Sequence, residues 1–494
     1  MRASSFACIL LLVSAALSPG SGGAVTLNPR GLGQALIYPY YTVNAGQDTL
    51  VSVTNAGDVG KVVRVRFLEG YNHRDVLDFD LFLSAHDVWT GAVSADAAGG
   101  ARLVSHDHSC TFPALPAAGV AFRTAGYTGA NADGGPTGIE RTREGSIQLI
   151  ALGDVIPGSM TATRTTHLWH GQDGDGTPPG CGEITDTNVA ADLGVPGNDL
   201  SGAGAIVNVG IGTFYPYTAD ALSGFTARAL YTPPFTLPDL RSANSSEATR
   251  GVARAYVSTG KSMLALDYAH GEDAVSAVFM AQALHNEFLN ASGLGAATDW
   301  VVTFPTKQYY VDSRFVAIPV APFDQAFLVS GRPEVWLRAN FFDQEEGAYT
   351  TDVPPDGCGF ICSGTFPLIL PYAVNVLRIL PRHTIDQPSE VFGSTLSTAL
   401  LPYGFPPTQD LPSIGAGWVD LDLGGYYSPR FLAGGHLATD GRAVALLGLP
   451  VTGFMAYNVI NANAQPGKLA NYSGVYVHRT TFACTTDADA SACD

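Results

Sequence analysis

The sequence predicts a mainly β protein: tandem immunoglobulin-like β-sandwich domains with one or two short helices. Three observations indicate this fold class. Apolar and polar residues alternate with a period of two through the hundred residues after the N-terminal segment, as in strands with one buried face. These runs follow one another at the short spacing of a sandwich. Segments with strand character also far outnumber segments with helix character.

Residues 1–24 are predicted to be a secretory signal peptide. Arg2 gives a basic start, residues 6–17 form an apolar run, and small residues lead to Ala24, where cleavage is expected. The apolar run has 12 residues, whereas a membrane-spanning helix needs roughly 20. We therefore expect an exported product that is secreted, periplasmic or on the cell surface, with no membrane span.

The alternation predicts strands at residues 49–55, 62–68, 76–82 and 87–93, with a turn between the first two. Further strands are predicted at residues 146–152, 205–211, 252–257, 300–304, 315–320, 335–341, 371–379, 417–423, 443–447 and 475–479. The main helix is predicted at residues 273–289, because Asp273 can cap it and apolar side chains such as Phe279 and Phe288 share one broad face.

A proline-rich run at residues 232–238 is the predicted linker, because proline lacks the N–H that regular structure needs. The boundary near residue 240 gives an N-terminal β-sandwich domain at 25–240, with a disulfide-stapled loop region, and a C-terminal β-rich domain at 241–494.

The charge balance limits the possible partners. The chain carries 26 basic and 44 acidic residues, a net charge of −18. Nucleic acid and anionic membranes are poor partners for such a field. Only 14% of residues are charged, so strand edges have little of the charge that usually opposes pairing. The sequence favours self-association or an envelope partner, although a neutral surface suited to an extracellular medium is an alternative.

Six cysteines follow the signal peptide, an even number that predicts three disulfides in an exported chain. Six cysteines allow 15 connectivities. Pairing in sequence order gives Cys110 with Cys181, Cys358 with Cys362, and Cys484 with Cys493.

Histidines near the first predicted disulfide are the candidate metal ligands. His106 and His108 lie on one segment, His167 and His170 on another, and a bridge from Cys110 would bring the segments together. Exposed histidines in polar loops explain the same pattern. We therefore expect no metal and no cofactor.

Two carboxylate pairs are candidate catalytic groups. Asp78 and Asp80, like Asp420 and Asp422, are two residues apart on predicted strands and share a face. Such pairs hydrolyse glycosides, but the alternating apolar residues equally indicate a solvated face over a core. Tyrosines suited to stacking on sugars, or to a core or rim, are Tyr38, Tyr40, Tyr41, Tyr309, Tyr310, Tyr426 and Tyr427.

Four stretches, at residues 33–42, 65–70, 298–307 and 449–454, resemble those of an uncharacterised family of secreted proteins from Gram-negative bacteria. The resemblance extends from the mature N-terminus nearly to Cys484. It implies export and brings no activity, ligand or catalytic residue.

The sequence therefore favours an exported, non-enzymatic cell-envelope or extracellular protein for binding, adhesion or assembly. No Gly-x-Ser-x-Gly motif supports a serine hydrolase. The alternative is a secreted hydrolase, with carbohydrate as a candidate substrate, which would require two carboxylates about 5–10 Å apart in an aromatic cleft.

Overall fold

The structure is a computed structural model that describes residues 23–168, 176–243, 252–325, 331–346, 348–350, 368–379, 387–400, 415–461 and 465–486. Strands predominate throughout these residues, which confirms the mainly β class. Of the predicted signal peptide, residues 1–22 lie outside the described residues, and the first strand begins at Val25, directly after the predicted cleavage point.

The strands of the first half are β1 (Val25–Leu27), β2 (Ala35–Thr42), β3 (Asp48–Asn55), β4 (Lys61–Glu69), β5 (Asp75–Leu83), β6 (Val88–Ala95), β7 (Ala101–Val104), β8 (Thr111–Phe112), β9 (Val120–Ala121), β10 (Glu144–Val155), β11 (Leu193–Gly194), β12 (Leu200–Asn208), β13 (Thr213–Thr218) and β14 (Asp220–Ser223). The predicted strands at 49–55, 62–68, 76–82, 87–93 and 146–152 are confirmed to within a few residues.

The remaining strands are β15 (Ala253–Ser258), β16 (Met263–Tyr268), β17 (Met280–Ala281), β18 (Ala283–Leu289), β19 (Ala296–Thr303), β20 (Val335–Asp343), β21 (Ala348–Thr350), β22 (Leu368–Leu370), β23 (Val374–Ile379), β24 (Ser397–Leu400), β25 (Ala416–Asp422), β26 (Phe431–Leu437), β27 (Ala443–Leu447), β28 (Leu449–Pro450), β29 (Thr452–Val459), β30 (Tyr472–Val477), β31 (Arg479–Thr481) and β32 (Cys484–Thr486). The described α-helices are short: α1 (Met160–Thr165), α2 (Asp186–Ala191), α3 (Gly271–Phe279) and α4 (Lys307–Val311).

Four larger sheets contain most of these strands. Sheet 1 has the order β32-β27-β26-β16-β15-β1-β14-β2-β10-β4-β5-β8, with β11 beside β10, and sheet 2 has the order β13-β12-β3-β6-β7-β9. Sheet 3 is β21-β20-β25-β18-β31, with β22 beside β20, and sheet 4 is β24-β23-β19-β29-β30. Val65 and Phe79 of sheet 1 share a core with Val53 and Trp89 of sheet 2, so these two sheets pack face to face as a sandwich.

The sheets and cores continue across residue 240. Strand β1 pairs antiparallel with β14 and parallel with β15, and so joins the two halves of the chain within sheet 1. One core contains Leu222 together with Trp300 and Leu421, and the other contains Trp89 together with Phe454. Sheet 1 and both cores therefore contain residues from both sides of the predicted boundary near residue 240. The tandem immunoglobulin-like arrangement stays a prediction.

The predicted helix at 273–289 is wrong over its second half. Helix α3 ends at Phe279, and residues 283–289 form β18, which pairs along its whole length with β25. Leu284, Asn286 and Phe288 are buried in alternation, so a period of two operates where the apolar residues alone suggested a helical face. The sequence pattern missed this because one of the buried residues, Asn286, is polar.

The predicted strand at 315–320 is also wrong. The chain turns there, and the backbone N–H groups of Phe315 and Val316 both donate to the carbonyl of Asp312, at 2.9 and 3.0 Å. The predicted strand at 205–211 is shifted, because β12 ends at Asn208 and the Asn208 carboxamide accepts from the N–H of Ile211 in the following turn.

Among the described residues, no helix has the length and apolar character needed to cross a membrane.

Candidate functional site

The first carboxylate pair, Asp78 and Asp80, is buried, which corrects the prediction of a solvated face. The two residues are 1% and 0% exposed. Arg64 lies on the neighbouring strand β4, and its Nε is 2.6 Å from Asp80 Oδ1 and 3.3 Å from Asp78 Oδ1. Arg64 is itself fully buried. A layer of paired charge therefore lies on the side of β4 and β5 that faces away from sheet 2.

The proline-rich segment at 232–238 covers this layer. Arg64 Nη2 donates to the carbonyl of Thr232 at 2.6 Å, and Arg64 Nη1 donates to the carbonyl of Leu237 at 3.3 Å. The N–H of Phe235 donates to Asp78 Oδ2 at 3.2 Å, and the guanidinium of Arg123 lies 3.7 Å from the centre of the Phe235 ring. The carbonyls that a proline-rich run cannot place in a sheet are thus bound by a buried arginine.

Burial raises the pKa of Asp78 to about 6 and that of Asp80 to about 7, although Arg64 acts in the opposite direction on both. Since the segment at 232–238 and the neighbouring strands cover both carboxyls, a substrate has no access to them. This pair stabilises the contact between the segment and sheet 1.

The histidines predicted as candidate metal ligands do not lie together in one site among the described residues. His106 lines a surface groove, and His108, two residues further along the chain, is exposed. His167 Nδ1 lies 3.6 Å from Asp87 Oδ2, and His170 lies outside the described residues. Within the described ranges, no three His, Cys, Asp or Glu residues are placed to hold a metal ion.

The predicted disulfide between Cys110 and Cys181 is confirmed, with the two Cα atoms 5.2 Å apart. Cys484 is also disulfide-bonded. Its partner lies outside the described residues. Cys358, Cys362 and Cys493 all lie outside them.

The second carboxylate pair lies on the outward side of sheet 3, which we call the aromatic–polar face. This face arises because residues alternate between the core and the outside along three adjacent strands. The residues of β20 and β25 that point into the core include Val335, Leu337, Phe341, Val419 and Leu421. The residues between them point outwards: Trp336, Arg338, Asn340 and Phe342 from β20, Trp418, Asp420 and Asp422 from β25, and His285 and Glu287 from β18.

The strand register arranges these side chains in rows across the sheet. Phe342 is directly opposite Trp418, and Asn340 is directly opposite Asp420. His285 is opposite Asp420 on the other side of β25. An aromatic row therefore lies beside a polar row, at the spacing of residues on the same face of a strand.

The aromatic row is a pair of apolar rings that stack on each other across neighbouring strands. The rings of Phe342 and Trp418 are stacked, with centroids 4.1 Å apart and planes at 11°. Trp418 is 40% exposed. A second aromatic group joins Trp336 to Tyr427, whose ring centroids are 5.7 Å apart, and Tyr427 is 73% exposed.

The polar row presents hydrogen-bonding groups on the same face of sheet 3 as the aromatic row. Asn340 Nδ2 donates to Asp420 Oδ2 at 3.2 Å, and His285 Nδ1 lies 3.6 Å from Asp420 Oδ1. Asp422 Oδ1 accepts from the N–H of Gly424 at 2.8 Å. Burial raises the pKa of Asp422, and the neighbouring Asp420 raises it further. The face therefore offers carboxylate, amide and imidazole groups next to stacked rings.

The direction of the carboxyls argues against hydrolysis at this face. Asp420 and Asp422 leave the same strand on the same side, whereas a glycosidase places its two carboxyls on opposite sides of the bond that it cleaves. The arrangement suits binding of a ring and its hydroxyl groups.

Sequence reasoning had identified Asp420, Asp422, Tyr426 and Tyr427 as candidates, and the structure brings them to this face or its border. It missed His285, Trp336, Arg338, Asn340, Phe342 and Trp418. Alternation within residues 335–341 and 417–423 indicates which of them share a face, but only the pairing of β20 with β25 brings the two sets together. The other candidate tyrosines are core residues: Tyr38, Tyr40, Tyr41, Tyr309 and Tyr310.

No protein-family model, no curated protein and no solved structure matches this chain. The resemblance to a family of secreted bacterial proteins stays an expectation.

Proposed function

We propose that this chain is an exported, non-enzymatic protein of the cell envelope or extracellular medium that binds carbohydrate through the aromatic–polar face. The observation that carries the proposal is the stacked pair of Phe342 and Trp418 beside the polar row of Asn340, Asp420 and His285. Export is expected from residues 1–24.

The proposal follows from the chemistry of sugars. A pyranose ring has an apolar C–H side, which packs on an aromatic ring, and a rim of hydroxyl groups, which donate to carboxylates and exchange hydrogen bonds with amides and imidazoles. Trp418 is both large and 40% exposed, and buried tryptophans dominate the binding energy of many interfaces. Nucleic acid would require a basic surface, which a chain of net charge −18 lacks.

Binding can be tested by calorimetry of the mature protein against soluble polysaccharides that contain neutral, acidic and amino sugars. For the polysaccharide that binds best, we expect Trp418→Ala to weaken binding at least tenfold, about 1.4 kcal/mol. The matched control is Tyr472→Ala, since Tyr472 is an exposed aromatic residue on β30 (63% exposed) outside the face.

Three results would count against the proposal. If Trp418→Ala and Tyr472→Ala bind alike, or if no polysaccharide binds, the face has another role. If the protein releases reducing sugars and Asp420→Asn and Asp422→Asn abolish that release, the secreted hydrolase is the correct function.

A further inference from the structure

A groove on the outward side of sheet 2 has a different chemistry from the aromatic–polar face. Its volume is about 780 Å³. Its floor consists of small or apolar residues on neighbouring strands, in two rows set by the register: Thr218, Ala203, Ser52 and Thr90, and then Pro216, Ala205, Leu50, Ala92 and Val104. The groove exists because most of these side chains are short, while residues that alternate with them, such as Val51 and Val53, fill the core.

The wall of the groove is held in place where two sheet edges meet. Strand β13 is the edge of sheet 2, and β30 is the edge of sheet 4. The N–H of Phe214 donates to Ser473 Oγ at 3.2 Å, and Ser473 Oγ donates to the carbonyl of Phe214 at 2.8 Å. Phe214, Val475 and Val477 then form an apolar wall. A strand added at Phe214 would have to displace Ser473, so this edge is blocked against pairing.

One carboxylate lies in this apolar lining. Asp220 is the first residue of β14, two residues after the end of β13, and it accepts a hydrogen bond at Oδ2 from the hydroxyl of Thr452. Among the charged groups that the structure describes, none forms an ion pair with Asp220. Burial raises the pKa of Asp220 to about 6, and the Thr452 hydrogen bond lowers it.

The other titratable groups of the groove are distant from Asp220 or neutral. His106 follows β7, whereas Asp220 comes two residues after β13, and β12, β3 and β6 lie between these two strands, which are therefore separated by roughly 19 Å at about 4.8 Å per strand. Tyr217 also lines the groove, and burial raises the pKa of its phenol, so it stays neutral at physiological pH. Asp220 is thus a carboxyl group without an ion-pair partner among the described residues, in a groove that is otherwise lined by apolar and small uncharged polar residues and by the distant His106.

We propose that the groove binds a small amphiphile made of an apolar chain and a protonated amine, with the amine paired to Asp220 and the chain lying across the small-residue floor. The volume is that of a small-molecule site, which typically has about 300–1,000 Å³ and a few polar groups in an apolar lining. A carboxylate in such surroundings attracts a cation more strongly than in water. The same charge repels the anionic headgroup of a fatty acid. The proposal is independent of carbohydrate binding, because the groove and the aromatic–polar face share no residue.

Calorimetry with decylamine, decanol and decanoate as probes tests this chemistry on the mature, disulfide-intact protein. At pH 8, decylamine should bind at least tenfold more tightly than decanol, and decanoate should bind most weakly. Asp220→Asn should remove the preference for the amine and leave decanol binding unchanged. The matched control is Asp58→Asn, since the Asp58 carboxylate is 96% exposed. This variant should leave all three affinities unchanged.

The pH dependence provides a second readout. With a pKa of about 6, roughly one tenth of the Asp220 carboxyl is ionised at pH 5, so decylamine should bind about tenfold more weakly than at pH 8 while decanol is unaffected. Ala203→Trp, which fills the floor at an exposed position, should abolish binding of all the probes.

Equal affinity for decylamine and decanol would overturn the proposal, as would an unchanged preference in Asp220→Asn. Decylamine binding that survives Ala203→Trp would place the probe elsewhere and overturn it too. A basic apolar peptide that binds to the groove when decylamine does not would show that the occupant is a protein segment.

Discussion

Replacing Arg64 with methionine tests the buried charge layer beneath the segment at 232–238. Arg64, Asp78 and Asp80 are all fully buried, and the Arg64 guanidinium contacts both carboxyls and the carbonyls of Thr232 and Leu237. Removing one partner of a buried ion pair costs about 3–5 kcal/mol. We expect Arg64→Met to lower the free energy of unfolding by about that amount at pH 8.

The loss should be smaller at pH 5. The pKa values of Asp78 and Asp80 are raised in the folded protein to about 6 and about 7, while an unfolded aspartate titrates near 3.9. Between these values the folded state holds protons that the unfolded state has released, so stability falls as pH rises through this window. Without Arg64 the folded pKa values rise further, and at pH 5 the neutral carboxyls need no cation.

Urea unfolding at pH 5 and pH 8, followed by tryptophan fluorescence, measures both effects. The control is Arg442→Met, which breaks an exposed ion pair with Asp440 and should leave stability unchanged. If Arg64→Met loses the same free energy at both pH values, or loses none, the carboxyls do not hold the charge that this reasoning assigns to them.

Two further predictions concern stability. The bridge between Cys110 and Cys181 has a sequence separation of 71, so the double variant Cys110→Ala/Cys181→Ala should lose about 4 kcal/mol of unfolding free energy under non-reducing conditions, and a loss below about 1 kcal/mol would contradict the loop-entropy account. Burial and Arg430 lower the pKa of Lys307 well below its usual value, and Lys307 Nζ donates hydrogen bonds to the carbonyls of Leu370 and Tyr372, at 3.4 and 3.0 Å. The unfolded state therefore binds the proton more tightly, and this group makes the wild-type protein more stable at pH 9 than at pH 7. In urea unfolding, the free energy of unfolding of Lys307→Met should rise less between pH 7 and pH 9 than that of the wild type. An unchanged rise would mean that other groups cause this pH dependence.

Much of the architecture follows from local pattern. Strands β3 to β6 lie where period-two alternation indicates them, because an alternating strand buries one face wherever a core forms. The even number of cysteines in an exported chain predicts disulfides, and pairing them in sequence order gives the bridge from Cys110 to Cys181 that the structure contains. Local pattern failed at residues 283–289, where the buried polar residue Asn286 interrupts the apolar alternation of β18.

The sequence by itself determined which residues share a strand face: Asp78 with Asp80, and Trp418 with Asp420 and Asp422. Only the tertiary structure decided what covers each face. The first pair lies under a segment more than 150 residues away, bound through Arg64, whereas the second lies beside Phe342 and His285 on a face that keeps Trp418 exposed. The physical reason is that strand alternation is a property of neighbouring residues, while burial of a polar face depends on partners that are distant in sequence and supply the compensating charge.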